Sequence, residues 1–166
     1  GNLKNFCVSP RAKISFSKNR FTFWADYAQT AQYLSLYPYF TVKTPVDIWY
    51  PLEKNMKPAL CHQYSIGAEQ EIQGGLTLYA GIFYKKMKHV KDFSSGLSTK
   101  YTALTDNMIT GSGHARGVEF NLALEHRKIS ARFNYTLSES KRKFAEINNG
   151  KSFFPPYDVK HNVVVN

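Results

Sequence analysis

The most regular feature of the chain is an alternation of apolar and polar side chains with a period of two residues. It is clearest over 128–138, where Ile129, Phe133 and Leu137 belong to an apolar set that alternates with serine, arginine, asparagine and threonine. A period of two places one set of side chains on each face of a β-strand. The pattern recurs along the chain, without any segment of helical period, and predicts seven strands at 6–16, 21–28, 62–72, 76–84, 117–126, 128–138 and from Val159 onward.

The predicted connections alternate between short and long. Short connections fall at 17–19, 73–75 and Arg127, and long ones fall at 30–61, 87–115 and 139–158. The strands are about ten residues long, whereas strands of soluble domains average about 5–6 residues, and about ten residues cross a bilayer when a strand is tilted. Short periplasmic turns and long extracellular loops are typical of transmembrane barrels. The sequence therefore predicts an all-β fold, an antiparallel up-and-down transmembrane β-barrel.

The number of strands and the ends of the chain indicate part of a barrel. Seven is odd, whereas bacterial single-chain barrels have an even number of strands. The chain opens with GNLKNFCVSP, which lacks the apolar stretch of a signal peptide, and it stops within the strand-like run HNVVVN. Residues 1–166 are therefore expected to form one partial barrel domain, an arc of a larger barrel. Two alternatives stay open: a small eight-stranded outer-membrane barrel of the adhesion or lipid-modifying kind, and a soluble β-domain that binds an anionic ligand.

Composition and net charge limit the fold classes and the kinds of binding partner that are compatible with the chain. The chain has 166 residues, of which 43% are hydrophobic and 15% aromatic, and its formal net charge is +10. It has no run of about 18 apolar residues, which excludes a transmembrane helix, and its many aromatic residues exclude full disorder. A basic balance indicates an anionic partner. We do not expect nucleic acid, because most aromatic side chains lie on the face opposite to Arg11 and Lys13, whereas nucleic-acid surfaces interleave the two.

Two clusters of basic residues stand at the start of predicted long loops, on what would be the external rim of the barrel. The outer leaflet there carries phosphorylated lipopolysaccharide, and cations at that height would pair with its phosphates. Ordinary solvation of loop charges accounts for the clusters equally well. The candidate lipopolysaccharide-phosphate contacts are Lys86, Lys88, Lys91, Lys141, Arg142 and Lys143.

The predicted loop at 30–61 is rich in aromatic residues and is stiffened by four prolines. Long loops of this kind are usually functional or disordered, and this composition argues against disorder. A rigid aromatic loop above a barrel is a candidate ligand-contacting surface, although the rings would equally serve to pack the loop onto itself. The residues expected to contact a small-molecule or glycan ligand are Tyr37, Trp49 and Tyr50.

Motifs of catalysis or metal binding are missing from the sequence. The chain has no Gly-x-Ser-x-Gly elbow, no phosphate-binding glycine-rich loop and no His-Glu-x-x-His. Cys7 and Cys61 lie far apart and show no metal-ligand spacing, and the five histidines are scattered. We therefore expect no enzymatic activity, no metal and no cofactor.

Several short pieces of sequence, taken in order, are similar to one known family. They include Gln32-Tyr33-Leu34, then Pro45-Val46-Asp47-Ile48-Trp49, then GSGHARGVE from Gly111 to Glu119, and finally Tyr157-Asp158 with His161. Over nearly its whole length, roughly Gln29–His161, the chain resembles the middle-to-late barrel of a TonB-dependent outer-membrane receptor, of the type common among gut-commensal Gram-negative bacteria.

This resemblance implies a barrel of about 22 strands, set in the outer membrane of a Gram-negative bacterium, with a plug domain and a TonB-contacting segment outside these residues. It implies active import of a scarce nutrient, of the siderophore, cobalamin or glycan type, energised through TonB. The implied partners are the TonB complex, outer-membrane lipid, the nutrient itself and a surface lipoprotein.

Overall fold

The structure, a computed structural model, describes residues 7–37, 48–52, 56–93 and 108–166, apart from the side chains of 35–37, 48–50 and Phe93. These residues form nine β-strands and one 3-10 helix of three residues, Asn148–Gly150. No helix among them is long and apolar enough to cross a membrane. The strands are β1 (Arg11–Lys18), β2 (Phe21–Gln32), β3 (Leu34–Tyr37), β4 (Ile48–Pro51), β5 (Ala59–Ile72), β6 (Leu76–Phe93), β7 (Met108–His126), β8 (Ile129–Lys143) and β9 (His161–Val165).

Seven of the nine strands form one sheet in the order β1-β2-β5-β6-β7-β8-β9, and every neighbouring pair is antiparallel. Strands β3 and β4 form a separate antiparallel ribbon inside the connection from β2 to β5. The main sheet is an up-and-down meander, in which sheet neighbours also follow one another along the chain. The predicted all-β antiparallel fold with seven principal strands is confirmed.

The main sheet is open. In the part of the chain that the structure describes, β1 pairs only with β2 and β9 pairs only with β8. Because direction alternates from strand to strand, the first and seventh strands of the sheet run the same way. Joining these two edges directly would make a parallel pair, so fully antiparallel closure requires an odd number of further strands between them.

Three tight turns lie at one end of the sheet, as the sequence predicts. In the β1–β2 turn, Asn19 and Arg20 have φ values of 49° and 63°, the left-handed conformation of two-residue hairpin loops whose twist matches that of the strands. The β5–β6 turn has Gly74 and Gly75 at φ values of 89° and 82°, and Arg127 lies at 51° in the β7–β8 turn. We call this end of the strands the short-turn end, and the opposite end the long-connection end.

At the long-connection end, the strands are longer than predicted. Strand β6 continues to Phe93, β7 begins already at Met108, and β8 continues to Lys143. Lysines between 85 and 91 hide the hydropathy alternation, yet β6 stays paired with β7 through them. Ladder hydrogen bonds use backbone groups, so a charged side chain that reaches water does not end a strand. The expectation that both basic clusters begin loops is therefore wrong, because they lie in strands.

The register sorts the alternating side chains onto two faces. Cross-strand partners point to the same side of a sheet, and so do residues two apart along a strand. One face is mostly apolar across the sheet, and we call it the apolar face. The opposite face carries the alternate positions, including most carboxylates of the strands, and we call it the polar face. One row of the apolar face, in strand order, is Ala25, Ile66, Ile82, Val118 and Leu137.

The buried core lies at the long-connection end and not in the middle of the sheet. Among the described residues, the buried hydrophobic side chains are Val90, Ile109 and Phe144. The centre of the apolar face is open instead, with Ile82 54% and Phe120 50% exposed. The described part of the fold thus leaves its largest apolar surface uncovered.

Candidate functional site

The apolar face forms a band of nearly constant height. On three strands it covers nine residues each, namely Tyr64–Ile72, Leu76–Tyr84 and Ile129–Leu137, and Gln70 interrupts it on β5. At about 3.4 Å per residue the band is about 27 Å long along a strand, which is about 21 Å tall at a strand tilt of about 40°. Transmembrane barrels present an apolar band about 25 Å tall to lipid. The band is therefore about 4 Å shorter than the band of such barrels.

A row of tyrosines bounds the band towards the long-connection end. Tyr27, Tyr64 and Tyr84 are cross-strand partners on β2, β5 and β6, and the ring centroids of Tyr27 and Tyr64 lie 5.1 Å apart. Tyr27 Oη also shares a hydrogen bond of 3.0 Å with Nδ1 of His62. Tyrosine is enriched where an apolar surface meets water, because its ring is apolar and its hydroxyl needs a polar partner. We call these three residues the tyrosine row.

Two basic rows lie directly beyond the tyrosine row on the same face. A groove of about 320 Å³ opens among them. Arg116 and Glu139 continue the tyrosine row onto β7 and β8. Arg116 Nη2 lies 3.1 Å from Glu139 Oε1, and Lys141 Nζ lies 3.4 Å from the same oxygen. The basic rows, in the strand order β6, β7, β8, are Lys86-His114-Lys141 and Lys88-Ser112-Lys143.

Five of the six predicted lipopolysaccharide contacts share this face, and Lys91 does so because of a β-bulge. His89 has a φ of 53°, and the register of β6 shifts between Lys88 and Val90. The extra residue returns Lys91 to the side of the basic rows, where its ammonium donates a 2.7 Å hydrogen bond to Thr110 Oγ1. Desolvation lowers the pKa of Lys91. Lys91 thus lies next to the groove, on its long-connection side, and Thr110 of β7 holds its ammonium group.

The sixth predicted contact, Arg142, lies on the polar face. Its Nη1 is 3.7 Å from Asp92 Oδ2, and its guanidinium lies 5.1 Å from the centre of the Tyr157 ring. Its backbone also pairs with Phe153. Burial raises the pKa of Tyr157, with the Arg142 charge opposing this shift and the Asp92 charge adding to it. Arg142 therefore anchors the connection from β8 to β9.

The polar face carries aromatic rings that lie flat on the sheet. The rings of Trp24 and Tyr79 lie side by side, with centroids 6.2 Å apart and planes 15° apart. Beneath them Gly67 and Gly81 are cross-strand partners. A Cβ on Gly67 would stand 2.5 Å from Trp24 Cζ2, and a Cβ on Gly81 would stand 2.5 Å from Tyr79 Oη. The two rings can reach the backbone only because these positions have no side chain.

Carboxylates and amides surround the two rings. Asp26, Glu69 and Glu119 flank them on β2, β5 and β7, and the Asn121 amide donates a hydrogen bond to Asn134. Groups this polar require water or polar partners. The register places these acids on one face. Sequence reasoning missed the contact of the rings with glycine, because that contact depends on the pairing of strands distant in sequence.

The predicted ligand contacts Tyr37, Trp49 and Tyr50 belong to the β3–β4 ribbon, where Trp49 is the backbone partner of Leu36. Their side chains lie outside the described residues, so their role stays a prediction. The sequence treated 30–61 as a loop without strands, and the structure gives it a short two-stranded ribbon. The basic groove also contains a titratable residue, His114, that was not among the predicted contacts. Its position two residues before Arg116 in the alternating pattern was the available signal.

Within the described ranges, no group of three or more His, Cys, Asp or Glu side chains is placed to hold a metal ion. Cys7 and Cys61 are free thiols. No protein-family model, curated protein or solved structure matches the chain. Three surfaces distinguish the described part of the chain: the apolar band, the basic groove above it and the polar face with its flat rings.

Proposed function

We propose that this chain is an arc of a transmembrane β-barrel in the outer membrane of a Gram-negative bacterium. The observation that carries the proposal is the exposed apolar band, nine residues long on three strands and bounded by the tyrosine row. In a soluble domain, a sheet buries its apolar face against a second layer, and large exposed apolar patches mark interaction surfaces. Lipid covers such a band over its whole width.

The composition of the polar face also supports a barrel wall whose apolar face meets lipid. Transmembrane barrels alternate lipid-facing apolar residues with polar residues that face the lumen. The carboxylates Asp26, Glu69 and Glu119 then meet water or a polar filling of the barrel, which satisfies them at no great desolvation cost. The short-turn end lies at the periplasm and the long-connection end outside the cell, as in barrels of this class.

The parity of the strands supports a larger barrel. An odd number of further strands is required to join β1 and β9 with every pair antiparallel. A barrel of about 22 strands would add about fifteen to the seven present, which meets this condition. The eight-stranded alternative adds a single strand and meets it as well. The choice of the large barrel depends on the resemblance of the sequence to TonB-dependent receptors.

On that resemblance, the function is active import of a scarce nutrient of the siderophore, cobalamin or glycan type, energised through TonB. The plug and the TonB-contacting segment would be supplied by other parts of the receptor. Tyr37, Trp49 and Tyr50, on a ribbon at the long-connection end, would contact the nutrient before it enters the barrel. A surface lipoprotein would be a further partner at this end.

The membrane location is tested by spin labels on the two faces of the protein in purified outer membranes. Cys7 and Cys61 are first replaced by serine, and single labels are then placed by Ile82→Cys on the apolar face and Thr136→Cys on the polar face. We expect oxygen, which concentrates in lipid, to relax the first label. A water-soluble nickel chelate should relax the second. Equal access of the chelate to both labels, with protein that stays monodisperse without detergent, contradicts the proposal.

The transport step is tested by uptake into cells. Labelled ferric siderophore, cobalamin and oligosaccharide are each offered to cells with and without a functional TonB complex. We expect one of them to enter only when TonB is present, and Trp49→Ala with Tyr50→Ala to reduce its uptake at an unchanged surface level. TonB-independent uptake, or none of these nutrients entering, favours the small barrel instead.

A further inference from the structure

We propose that the groove between the two basic rows binds the phosphate of lipopolysaccharide, while the acyl chains of the same lipid lie on the apolar band below. This inference rests on the proposed membrane location. It replaces six scattered candidate cations by a defined site of four lysines and a histidine. The site consists of Lys86, Lys88, His114, Lys141 and Lys143.

The spacing of the sheet brings the four lysines to the corners of a small rectangle. Lys86 and Lys88 are two residues apart on β6, which is about 7 Å, and β8 lies two strands away, which is about 10 Å. The groove of about 320 Å³ between them is lined by Tyr84, Ser112 and Arg142 as well, although the Arg142 guanidinium pairs with Asp92 on the polar face. Lysine carries a compact charge on a flexible stem, so four ammonium groups can converge on one or two phosphates across this rectangle.

The groove keeps a positive charge because few acids reach it. On this face of β5 to β8, from the tyrosine row to the long-connection end, the only acid among the described residues is Glu139, in line with the row itself. It is shared by Arg116 and Lys141, at 3.1 and 3.4 Å. Lys86, Lys88 and Lys143 are exposed, and the ion pairs of the described residues do not include them. An anionic ligand would find these charges available.

The polar face shows no comparable surface in the described strands. There, Lys13 lies over the Trp24 ring at 5.2 Å and opposite Asp26 in the register, and Arg142 pairs with Asp92. Cations on that face are thus interspersed with acids. The excess positive charge of the strands is concentrated on the apolar face, which would meet lipid.

Apolar contacts around the groove indicate an anion attached to hydrocarbon. Tyr84 forms its lower edge, and Ile82, two residues below on the same face, is 54% exposed. Beside β8 the ring of Phe154, itself 52% exposed, lies 4.9 Å from the Lys141 ammonium. A free phosphate ion would leave these rings in water. A phosphorylated amphiphile would cover them while its charge stays in the groove.

The test compares three forms of the detergent-solubilised protein. The groove variant combines four lysine-to-glutamine substitutions on the apolar side. A control variant removes the same formal charge from the polar face, where cross-strand partners place all four residues. The groove variant is Lys86→Gln, Lys88→Gln, Lys141→Gln and Lys143→Gln. The control variant is Arg11→Gln, Lys13→Gln, Lys85→Gln and Arg132→Gln.

Each form is offered lipid A with both phosphates, the same lipid without phosphates, and inorganic phosphate, and bound lipid is counted by native mass spectrometry. We expect the unmodified protein and the control variant to prefer phosphorylated lipid A by at least about tenfold. This preference should shrink as salt is added. The groove variant should bind both lipids equally.

Two results would overturn this inference alone. A groove variant that keeps the preference shows that the phosphate is bound elsewhere, and inorganic phosphate that displaces lipid A at an equal concentration shows that the site takes the free ion. Neither result affects the membrane proposal if the spin labels still report lipid on the apolar face. A protein that is monodisperse without detergent overturns both.

Discussion

The two faces of the main sheet use the same seven strands but fill space in opposite ways. On the apolar face, large side chains such as Ile82 and Phe120 are half exposed. On the polar face, Trp24 and Tyr79 lie flat on Gly67 and Gly81, with carboxylates around them. In a water-soluble sheet, the apolar face would be the covered one. The comparison shows that alternation alone assigns residues to faces, whereas exposure and packing decide what each face meets.

The largest expected effect comes from a charge in the middle of the apolar face. Ala80 is exposed at the centre of the band on β6, so Ala80→Arg adds a charge without removing a large side chain. If the face meets lipid, an arginine near the midplane destabilises the folded protein by about 2–4 kcal/mol. The measurement is the free energy of unfolding from lipid vesicles by guanidinium titration.

The matched control for this substitution is Thr136→Arg. Thr136 lies on the polar face, opposite Glu119 in the register, so its arginine would meet a carboxylate and water. We expect a change within about 0.5 kcal/mol. Equal destabilisation by the two substitutions would mean that the faces do not differ in solvent, and the comparison would fail.

A smaller effect is expected from the contact of ring and glycine on the polar face. Gly67→Val would place a side chain 2.5 Å from the Trp24 ring, and overpacking of this kind destabilises by about 1–3 kcal/mol. The control is Ala68→Val, at the next residue of β5, whose side chain lies on the apolar face. It should change the free energy of unfolding by less than about 0.5 kcal/mol. The measurement is the same titration.

A double substitution tests whether the Trp24 ring causes the destabilisation by Gly67→Val. In a chain with Trp24→Ala, Gly67→Val should lose most of its effect, because the space above the glycine is then empty. The two changes would be strongly non-additive, as expected for side chains in contact. Additive effects would mean that Gly67 is required for the conformation of β5 and not for the approach of the ring.

Much of the fold was predictable because a period of two is read directly from the sequence. The seven principal strands, the three tight turns and the membership of each face follow from residues such as Phe133 and Leu137. The extent of the strands did not follow. Hydropathy reports burial, whereas pairing of β6 with β7 continues through lysines that reach water.

The site was predictable only in part, since it depends on register. Period two already separates Arg142 from Lys141 and Lys143, so the split of this cluster could have been inferred from the sequence. The bulge at His89, which places Lys91 on the same side as Lys88, has no comparable signal. Nor does the sequence show that positions 24 and 67 meet, because partners far apart in the chain are set by the assembled sheet.

The smallest expected effect concerns the tyrosine row, which bounds the apolar band towards the long-connection end. Tyr27→Phe removes the hydroxyl that shares a 3.0 Å hydrogen bond with His62 Nδ1, and should lower the free energy of unfolding by about 0.5–1 kcal/mol. Tyr64→Phe, in the same row, removes a hydroxyl for which no hydrogen bond is found among the described residues. It should leave the free energy nearly unchanged. If both substitutions are silent, the tyrosine row contributes through its rings alone, and the boundary of the band is set by packing and not by the polar ends of the side chains.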